Sequence, residues 1–149
     1  MTERSHPMAN LPVMQLVREL VRTYQGFTAT AFAQIESTSG LGAAEFDVLS
    51  ALAGNEGLTF KDLSDRTLIY KTTLTSVVDR LQKKGLVERR HCTEDRRCIY
   101  VAVTQDGQAL FDRVFPAHVE FLQQRLAGLS DGDLETLRSG LSALRQRFD

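Results

Sequence analysis

The chain has 149 residues, of which 42% are hydrophobic and 25% are charged, so it can form one globular domain with a core. It contains no run of eighteen apolar residues, which excludes a membrane-spanning helix, and no apolar segment follows its first four residues, so we expect no secretory signal. Two cysteines are too few for a disulfide scaffold, and we therefore expect a cytoplasmic protein.

The charge is unevenly distributed along the chain, although the formal net charge is only −1. Residues 61–97 contain ten basic and six acidic residues, a net charge of +4, whereas the other residues contain eight basic and thirteen acidic ones, a net charge of −5. A basic segment in an otherwise acidic chain is typical of a module that binds nucleic acid. A solvated charged surface produces the same pattern, so charge alone does not decide the function.

The N-terminal part of the chain is predicted to be helical. After a frayed segment of ten residues, apolar residues recur every three or four positions from residue 11 to about residue 35, which indicates one amphipathic helix. Such a helix is roughly 37 Å long, too long for one small domain to cover, so we expect part of it to contact a second chain. Residues 37–40 are predicted to be a loop, and a second helix follows over residues 43–53.

The middle of the chain is predicted to contain two helices and a hairpin. A capping-box sequence begins a short helix at Thr59 that ends near Arg66, and a second helix follows over residues 71–84. The hydrophobic period then changes to two over residues 86–92 and 98–103, which predicts two strands joined by a charged tip.

Two further helices are predicted after the hairpin. Thr104 is expected to cap a helix over residues 105–127, which Pro116 should bend, and Ser130 begins the last helix in a second capping box. The last helix carries apolar residues at steps of three and four, a stripe that belongs either to a core or to a dimer seam. The fold class is therefore mainly α with a small β-hairpin, arranged as a winged helix-turn-helix.

A winged helix-turn-helix presents the first turns of its second helix to base edges in the major groove. We predict that the polar and basic side chains there contact DNA. These residues are Lys71, Thr72, Thr73, Thr75 and Ser76. Arg96 and Arg97 at the tip of the wing are predicted to enter a minor groove, because narrow minor grooves attract guanidinium groups. The alternatives are an ordinary exposed helix start and a solvated hairpin tip.

Four residues of the wing suggest further roles. Asp95 cannot favour a phosphate, so we expect a local ion pair that orients the wing. Cys92 and Cys98 flank the five-residue tip, and a strained disulfide between them would make the wing redox-responsive, whereas the alternative is two small strand residues. His91 adds a third potential zinc ligand, but no fourth is nearby, so we predict no metal and no cofactor.

The residues of the two segments 63–90 and 94–104 closely resemble the MarR family of bacterial regulators. The resemblance lies in the sequences Thr73-Leu-Thr, Val78-Asp-Arg-Leu and Lys83-Lys-Gly-Leu-Val, followed by Asp-x-Arg in the wing. It implies a homodimer formed by N- and C-terminal helices, a pseudo-palindromic double-stranded operator, and usually repression that a small aromatic or phenolic ligand relieves. The domain organisation would be a single domain over residues 1–149.

Within that domain, the resemblance implies dimerisation helices over residues 11–36 and 105–149 that flank a winged helix-turn-helix lobe over residues 43–104. It places four residues of the predicted recognition helix on the groove-facing positions. These are Thr72, Thr73, Thr75 and Ser76. Arg97 falls on the wing arginine of the family, and Asp95 on the aspartate that orients the wing.

The sequence departs from the family pattern at three places. Ser76 stands where many members have arginine, Tyr70 stands where a small polar residue is commoner, and the first helix has no cysteine for sensing organic hydroperoxides. The effector-binding residues are unknown. Arg18 and Arg22 are weak candidates, because guanidinium groups suit a ligand carboxylate, and His118 is expected to lie in a packed interface.

Three hypotheses of different classes remain from the sequence. The first is a ligand-responsive DNA-binding regulator, with redox control through the two cysteines as a variant. The second is a winged helix that has lost DNA binding and docks another protein, which the basic middle segment disfavours. The third is an enzyme, which we do not expect, because no nucleophile–base pair, phosphate loop or metal-ligand spacing occurs.

Overall fold

The structure, a computed structural model, describes residues 6–95 and 97–149. In chain order, the described residues form a 3-10 helix Pro7–Asn10, α1 Pro12–Ser39, α2 Ala43–Leu52, β1 Leu58–Thr59, α3 Phe60–Thr67, α4 Lys71–Lys83, β2 Val87–His91, β3 Ile99–Val103, α5 Gln105–Arg125 and α6 Asp131–Arg145. The chain divides into two compact units, of which the first ends at Val114 and the second is Phe115–Asp149. The predicted fold, mainly α with a small β-hairpin, is confirmed.

The first helix is longer than predicted, because residues 37–39 continue it instead of forming a loop. The hydroxyl groups of Ser37, Thr38 and Ser39 donate hydrogen bonds to carbonyl oxygens of the preceding turn, which lets these residues stay helical. Gly40 then ends the helix at a φ of 70°, a left-handed conformation that glycine adopts without steric cost. The predicted loop over residues 37–40 is therefore wrong for residues 37–39, and only Gly40 lies outside the helix.

The residues just before α1 also have defined structure. The predicted frayed segment is wrong for Pro7–Asn10, which forms a 3-10 helix, while residues 1–5 lie outside the described residues. A guanidinium nitrogen of Arg18 donates a hydrogen bond of 2.8 Å to the carbonyl oxygen of Ala9. This bond ties the 3-10 helix to the second turn of α1.

The sheet has three antiparallel strands in the order β1-β3-β2. The predicted hairpin is present, with Val87 opposite Val103 at its base and His91 opposite Ile99 towards its tip. The sequence analysis missed β1, whose Leu58 pairs with Val101. A strand of two residues has no measurable period, so hydrophobic alternation cannot reveal it.

The main core of the first unit lies between α2, α3, α4 and the sheet. Its fully buried side chains come from all of these elements and are Val48, Leu49, Leu52, Leu63, Leu74, Val77, Val78, Leu81 and Val101. A second cluster of Ile35, Phe46 and Val114 joins the C-terminal half of α1 to α2 and to the first half of α5. The first of the two clusters holds α4 by its apolar face.

The start of α5 is packed directly against the beginning of the wing. The Thr104 hydroxyl accepts a hydrogen bond from the Gly107 amide at 3.1 Å and donates one to the Gly85 carbonyl at 2.6 Å. A Cβ at Gly107 would lie 2.0 Å from the carbonyl oxygen of Leu86. Position 107 therefore requires glycine, because any side chain would separate the helix from the strand.

The second unit consists of the C-terminal part of α5 and of α6. The α5 helix continues through Pro116, and Ser130 begins α6 with a complete capping box in which Asp133 is the partner residue. The helix ends at Arg145, and the leucines of its stripe, Leu134, Leu137 and Leu141, are exposed. No helix among the described residues is long and apolar enough to cross a bilayer.

Candidate nucleic-acid interface

The α4 helix has one completely buried face and one exposed face. Its apolar side chains are fully buried in the core, and these are Leu74, Val77, Val78 and Leu81. The five predicted DNA-contacting residues of this helix are all exposed, and these are Lys71, Thr72, Thr73, Thr75 and Ser76. The structure thus brings the five together on one polar surface over the first two turns, where a recognition helix meets base edges.

The beginning of α4 offers hydrogen-bonding groups to a partner. The amides of Thr73 and Leu74 both donate to the Tyr70 carbonyl oxygen, at 3.0 and 2.8 Å, and among the described residues no side chain caps the helix. The amides of Lys71 and Thr72, which come before them, have no partner within the helix. The first amides of a helix, together with its dipole, favour negatively charged groups such as phosphates. Tyr70, the residue before the helix, is 83% exposed.

The turn before α4 is rigid although it contains no glycine. Leu68 adopts a φ of 58°, a left-handed conformation that costs a non-glycine residue some strain. The Ser64 hydroxyl donates a hydrogen bond of 2.7 Å to the Ile69 carbonyl oxygen, and the Thr59 hydroxyl caps α3 by accepting from the Asp62 amide at 3.1 Å. These bonds fix the angle at which α4 leaves the turn.

The tip of the wing is closed by hydrogen bonds of Asp95. Its carboxylate accepts from the backbone amide of Arg97 at 2.9 Å, and its carbonyl oxygen accepts from the Cys98 amide at 3.0 Å. We expected an ion pair of Asp95, but the contact that the structure describes for its carboxylate is with a backbone amide and not with a charged side chain. Arg97 is exposed, and the prediction for Arg96 lies outside the described residues.

Arg89 connects the wing to the recognition helix, a role that the sequence analysis missed. Its guanidinium group contacts the Asp79 carboxylate at 2.6 Å, donates to the Gln82 side chain and lies 5.7 Å from the centroid of the Phe60 ring. It occupies the same face of β2 as the buried Val87. A basic residue on the inward face of an alternating strand was the signal that could have revealed it.

Glu45 contacts the same C-terminal part of the predicted recognition helix from the side of α2. Its side chain is only 8% exposed, and its two carboxylate oxygens contact Arg80 at 3.0 Å and Lys84 at 2.6 Å. Burial raises the pKa of Glu45, but the hydrogen bonds and positive charges of Lys84 and Arg80 outweigh it, so the pKa lies below its usual value. An acidic residue beside Phe46 in the mostly apolar helix α2 was the available signal.

These contacts reduce the positive charge that is available for DNA. Arg80 and Lys84 are paired with Glu45, Arg89 with Asp79, and Arg90 with Glu88. Four of the ten basic residues counted between positions 61 and 97 are therefore used within the protein. The other described basic residues of this segment lie in α3, at the two ends of α4 and at the wing tip, and they are Lys61, Arg66, Lys71, Lys83 and Arg97.

A sequence model of the MarR family matches residues 39–97 of this chain. The HTH-type transcriptional repressor YetL of Bacillus subtilis is 31% identical over 111 residues, which cover 73% of the chain and 66% of YetL. The solved structure of BpsR from Bordetella bronchiseptica is 30% identical at a TM-score of 0.72, and the match covers 91% of this chain and 99% of that one. The chain belongs to the MarR family of transcriptional regulators.

A third comparison supports the fold of this MarR-family chain. Sco3205, a MarR family regulator from Streptomyces coelicolor whose structure was solved in complex with DNA, aligns with a TM-score of 0.83 at 22% identity. The alignment covers 93% of this chain and 89% of Sco3205. The predicted winged helix-turn-helix fold and family are thereby confirmed, and the family consists of transcriptional regulators rather than enzymes. The match to YetL spans just under two thirds of that protein's length.

The remaining predicted site residues of this MarR-family chain lie outside the α4 surface. Arg18 is bonded to the Ala9 carbonyl oxygen, and Arg22 lies 3.8 Å from Glu19 in an exposed ion pair. In the second unit, His118 is buried and stacks on the Phe121 ring with centroids 6.5 Å apart. Burial lowers the pKa of His118, which favours its neutral form.

The two cysteines are free and half-buried at the base of the wing tip. The Cys92 amide donates a hydrogen bond of 3.0 Å to the Cys98 carbonyl oxygen, so the two residues face each other at the end of the β2–β3 ladder. Within the part of the chain that the structure describes, no group of three or more His, Cys, Asp or Glu side chains could hold a metal ion.

Proposed function

We propose that this chain is a sequence-specific repressor that acts in the cytoplasm, binding a pseudo-palindromic DNA operator as a homodimer. The observation that carries the proposal is the division of α4 into a fully buried apolar face and an exposed face of hydroxyl and ammonium groups. Hydroxyl groups can donate to or accept from base edges, and the Lys71 ammonium group suits phosphate or guanine. The exposed Arg97 would supply the minor-groove contact.

The anchoring of α4 supports readout of sequence rather than general attraction to DNA. Glu45 holds its C-terminal end to α2, and Arg89 holds its outer side to the wing. A helix held at both places presents its side chains in one orientation, so little conformational entropy is lost on binding. Binding through mobile charges alone would need no such support.

The homodimer is supported by apolar side chains that α1 and α6 leave exposed. In α1 they are between 37% and 66% exposed, and they are Val13, Met14, Leu16, Val17, Leu20, Val21, Tyr24 and Phe27. In α6, Leu137 is 53% and Leu141 is 56% exposed. Exposed apolar surface of this extent, taken on each helix by itself, marks an interaction site. We assign it to a second copy of the same chain.

We further propose that a small aromatic ligand releases the operator. The support comes from BpsR, which is 30% identical to this chain and whose DNA binding is regulated by 6-hydroxynicotinic acid. The first probes are therefore 6-hydroxynicotinic acid and other small aromatic acids, added to a preformed complex. We expect at least one of them to lower the affinity for the operator.

Selection of bound duplexes from a random pool tests the proposal. We expect enrichment of an inverted repeat whose half-site centres are about 10 base pairs apart, bound with an affinity that falls steeply with salt. Weak binding that is salt-sensitive but selects no sequence would contradict the proposal. It would instead favour a winged helix that docks another protein.

A further inference from the structure

Two thiols face each other at the last pair of the wing hairpin. The register of β2 and β3 continues beyond His91 and Ile99 to Cys92 and Cys98, which share a hydrogen bond of 3.0 Å. Directly opposed residues have Cβ atoms about 4.5–5.5 Å apart, and a disulfide needs about 3.5–4.5 Å. A pair that shares a hydrogen bond lies at the wider end of this range, so the strands must approach each other by roughly 1 Å to join the two sulfur atoms, and the resulting disulfide is strained.

The surroundings of Cys92 favour its thiolate. Its sulfur accepts hydrogen bonds from the backbone amides of Glu94 and Asp95 and contacts the Tyr100 hydroxyl, and these bonds lower the pKa of the Cys92 thiol. Tyr100 also contacts Cys98, and its bonds to the two cysteines raise its own pKa, so its hydroxyl keeps the proton that it donates. The three side chains thus form one cluster on one face of the hairpin.

The cluster can be reached by a small molecule. A cavity of about 780 Å³ is lined by Cys92 and Tyr100 together with Arg90, His91 and Glu56. Its volume exceeds that of a hydroperoxide many times over. Both cysteines are half-buried rather than enclosed, which allows the sulfur of Cys92 to meet an oxidant.

We infer that Cys92 and Cys98 form a reversible disulfide across the wing when the protein meets a hydroperoxide, and that the cross-link weakens DNA binding. The Cys92 thiolate attacks the O–O bond, forming an S–O bond while the alkoxide or hydroxide leaves and takes up a proton. The Cys98 sulfur then attacks the Cys92 sulfenic acid, and the hydroxyl group leaves with the Cys98 proton as water. In sum, two thiols and one hydroperoxide give one disulfide, one alcohol or water, and one further water.

The cross-link acts on DNA binding through the tip that it closes. The residues between the cysteines include Arg97 and the Asp95 carboxylate that accepts from the Arg97 amide at 2.9 Å. Drawing the strands together at their last pair changes the geometry of this tip, and a strained disulfide is readily reduced. This step rests on the proposed function, because it assigns the regulation to the DNA contact of the wing.

The test uses the full chain and the duplex selected from the random pool. The reduced protein is treated with cumene hydroperoxide, and unreacted thiols are alkylated. The protein is then digested, and the masses of its peptides are measured by mass spectrometry. We expect loss of two hydrogen atoms in a cross-linked peptide pair within one chain, and an affinity lower by about tenfold that dithiothreitol restores. Two alkylated cysteines, a disulfide between chains, or a disulfide with unchanged affinity would each overturn the inference.

Three variants identify the roles of the individual groups. Cys98→Ser keeps the attacking thiol, so we expect a sulfenic acid at residue 92 that dimedone traps, and no disulfide. Cys92→Ser should give neither product. Tyr100→Phe should shift the pH profile of alkylation at Cys92 upwards, because one donor to the thiolate is lost. Equal trapping in Cys92→Ser and Cys98→Ser would contradict the assignment of Cys92 as the attacking residue.

The chemistry and the DNA binding are measured separately. If the reduced protein selects no duplex, the proposed function fails, while the mass measurement still shows whether the disulfide forms. If the reduced protein binds its duplex and peroxide produces no cross-link, the redox inference fails and the proposed function stands.

Discussion

Glu45 shows how one residue can determine the position of a functional helix. Its carboxylate is buried, and it keeps its charge because Arg80 and Lys84 approach it from α4. Removal of one partner from a buried ionic contact leaves the others poorly paired, which is more costly than the loss of an exposed ion pair. The contact therefore contributes to stability and to the orientation of α4 together.

We predict that Glu45→Gln lowers the free energy of unfolding by about 2 kcal/mol, because hydrogen bonds to charged groups are lost in a buried place. Denaturant unfolding measures the effect. Glu36→Gln on the exposed surface of α1 is the matched control, and we expect its stability to stay within about 0.5 kcal/mol of the wild type. Equal stability of the two variants would contradict the role of the buried contact.

Two residues of the candidate interface should affect DNA binding in different ways. Thr73→Ala removes a hydroxyl from the α4 surface and should weaken binding to the selected duplex more than to random DNA. Arg97→Ala should weaken binding to both duplexes and reduce the slope of affinity against salt by about one. Arg138→Ala, which removes a cation paired with Glu135, serves as the control. An unchanged slope in Arg97→Ala would show that the wing assignment is wrong.

At the scale of elements, the junction between the wing and α5 depends on one glycine. A Cβ at residue 107 would lie 2.0 Å from the Leu86 carbonyl oxygen, a backbone atom that cannot move aside alone. The strand would have to separate from the helix, and the hydrogen bonds of Thr104 that close the junction would lengthen. The wing would then lose its fixed position beside α4.

We predict that Gly107→Ala lowers the free energy of unfolding by about 2 kcal/mol or more, because overpacking forces shifts of the backbone. Gly132→Ala is the control, since its Cβ would meet the Ser130 hydroxyl only at an ordinary 3.7 Å. That change in the first turn of α6 should stabilise the protein by about 0.4–1 kcal/mol. Thermal unfolding of both proteins gives the comparison, and a stable Gly107→Ala variant would contradict the packing described here.

Most elements could be predicted from hydrophobic periodicity and capping residues, because these signals are local. The start of α4 and the capping box at Ser130 are examples. Residues 37–39 were predicted wrongly, since serine and threonine favour loops unless their hydroxyls bond the preceding turn. The short strand β1 is defined only by its pairing with β3, which is a tertiary interaction.

The candidate site could be predicted only in part for the same reason. The exposed residues of α4 follow from the helical period, whereas the partners of Glu45 lie 35 and 39 positions away in the chain. The role of Arg89 likewise depends on its contacts with Phe60 in α3 and Asp79 in α4, and not on its neighbours in sequence. Long-range partners of this kind have no compact motif in a single sequence.

At the scale of the whole molecule, the proposed dimer explains why so much apolar surface is exposed. We predict that the double change Leu137→Glu and Leu141→Glu converts the dimer to monomers, because charges would be buried at the interface. Sedimentation measures the mass of the particle. Ala143→Glu, on the opposite side of α6, is the control and should remain dimeric. A wild-type protein that sediments as a monomer at micromolar concentration would contradict the proposed assembly.

The central claim is that two copies of α4 read two half-sites of one operator. Hydroxyl-radical footprinting of the wild-type protein on the selected duplex tests this claim most directly. The account predicts two protected segments related by two-fold symmetry, with centres about 10 base pairs apart, and weaker flanking protection at the minor grooves in Arg97→Ala. A single protected segment, or protection that does not depend on the sequence of the duplex, would contradict it.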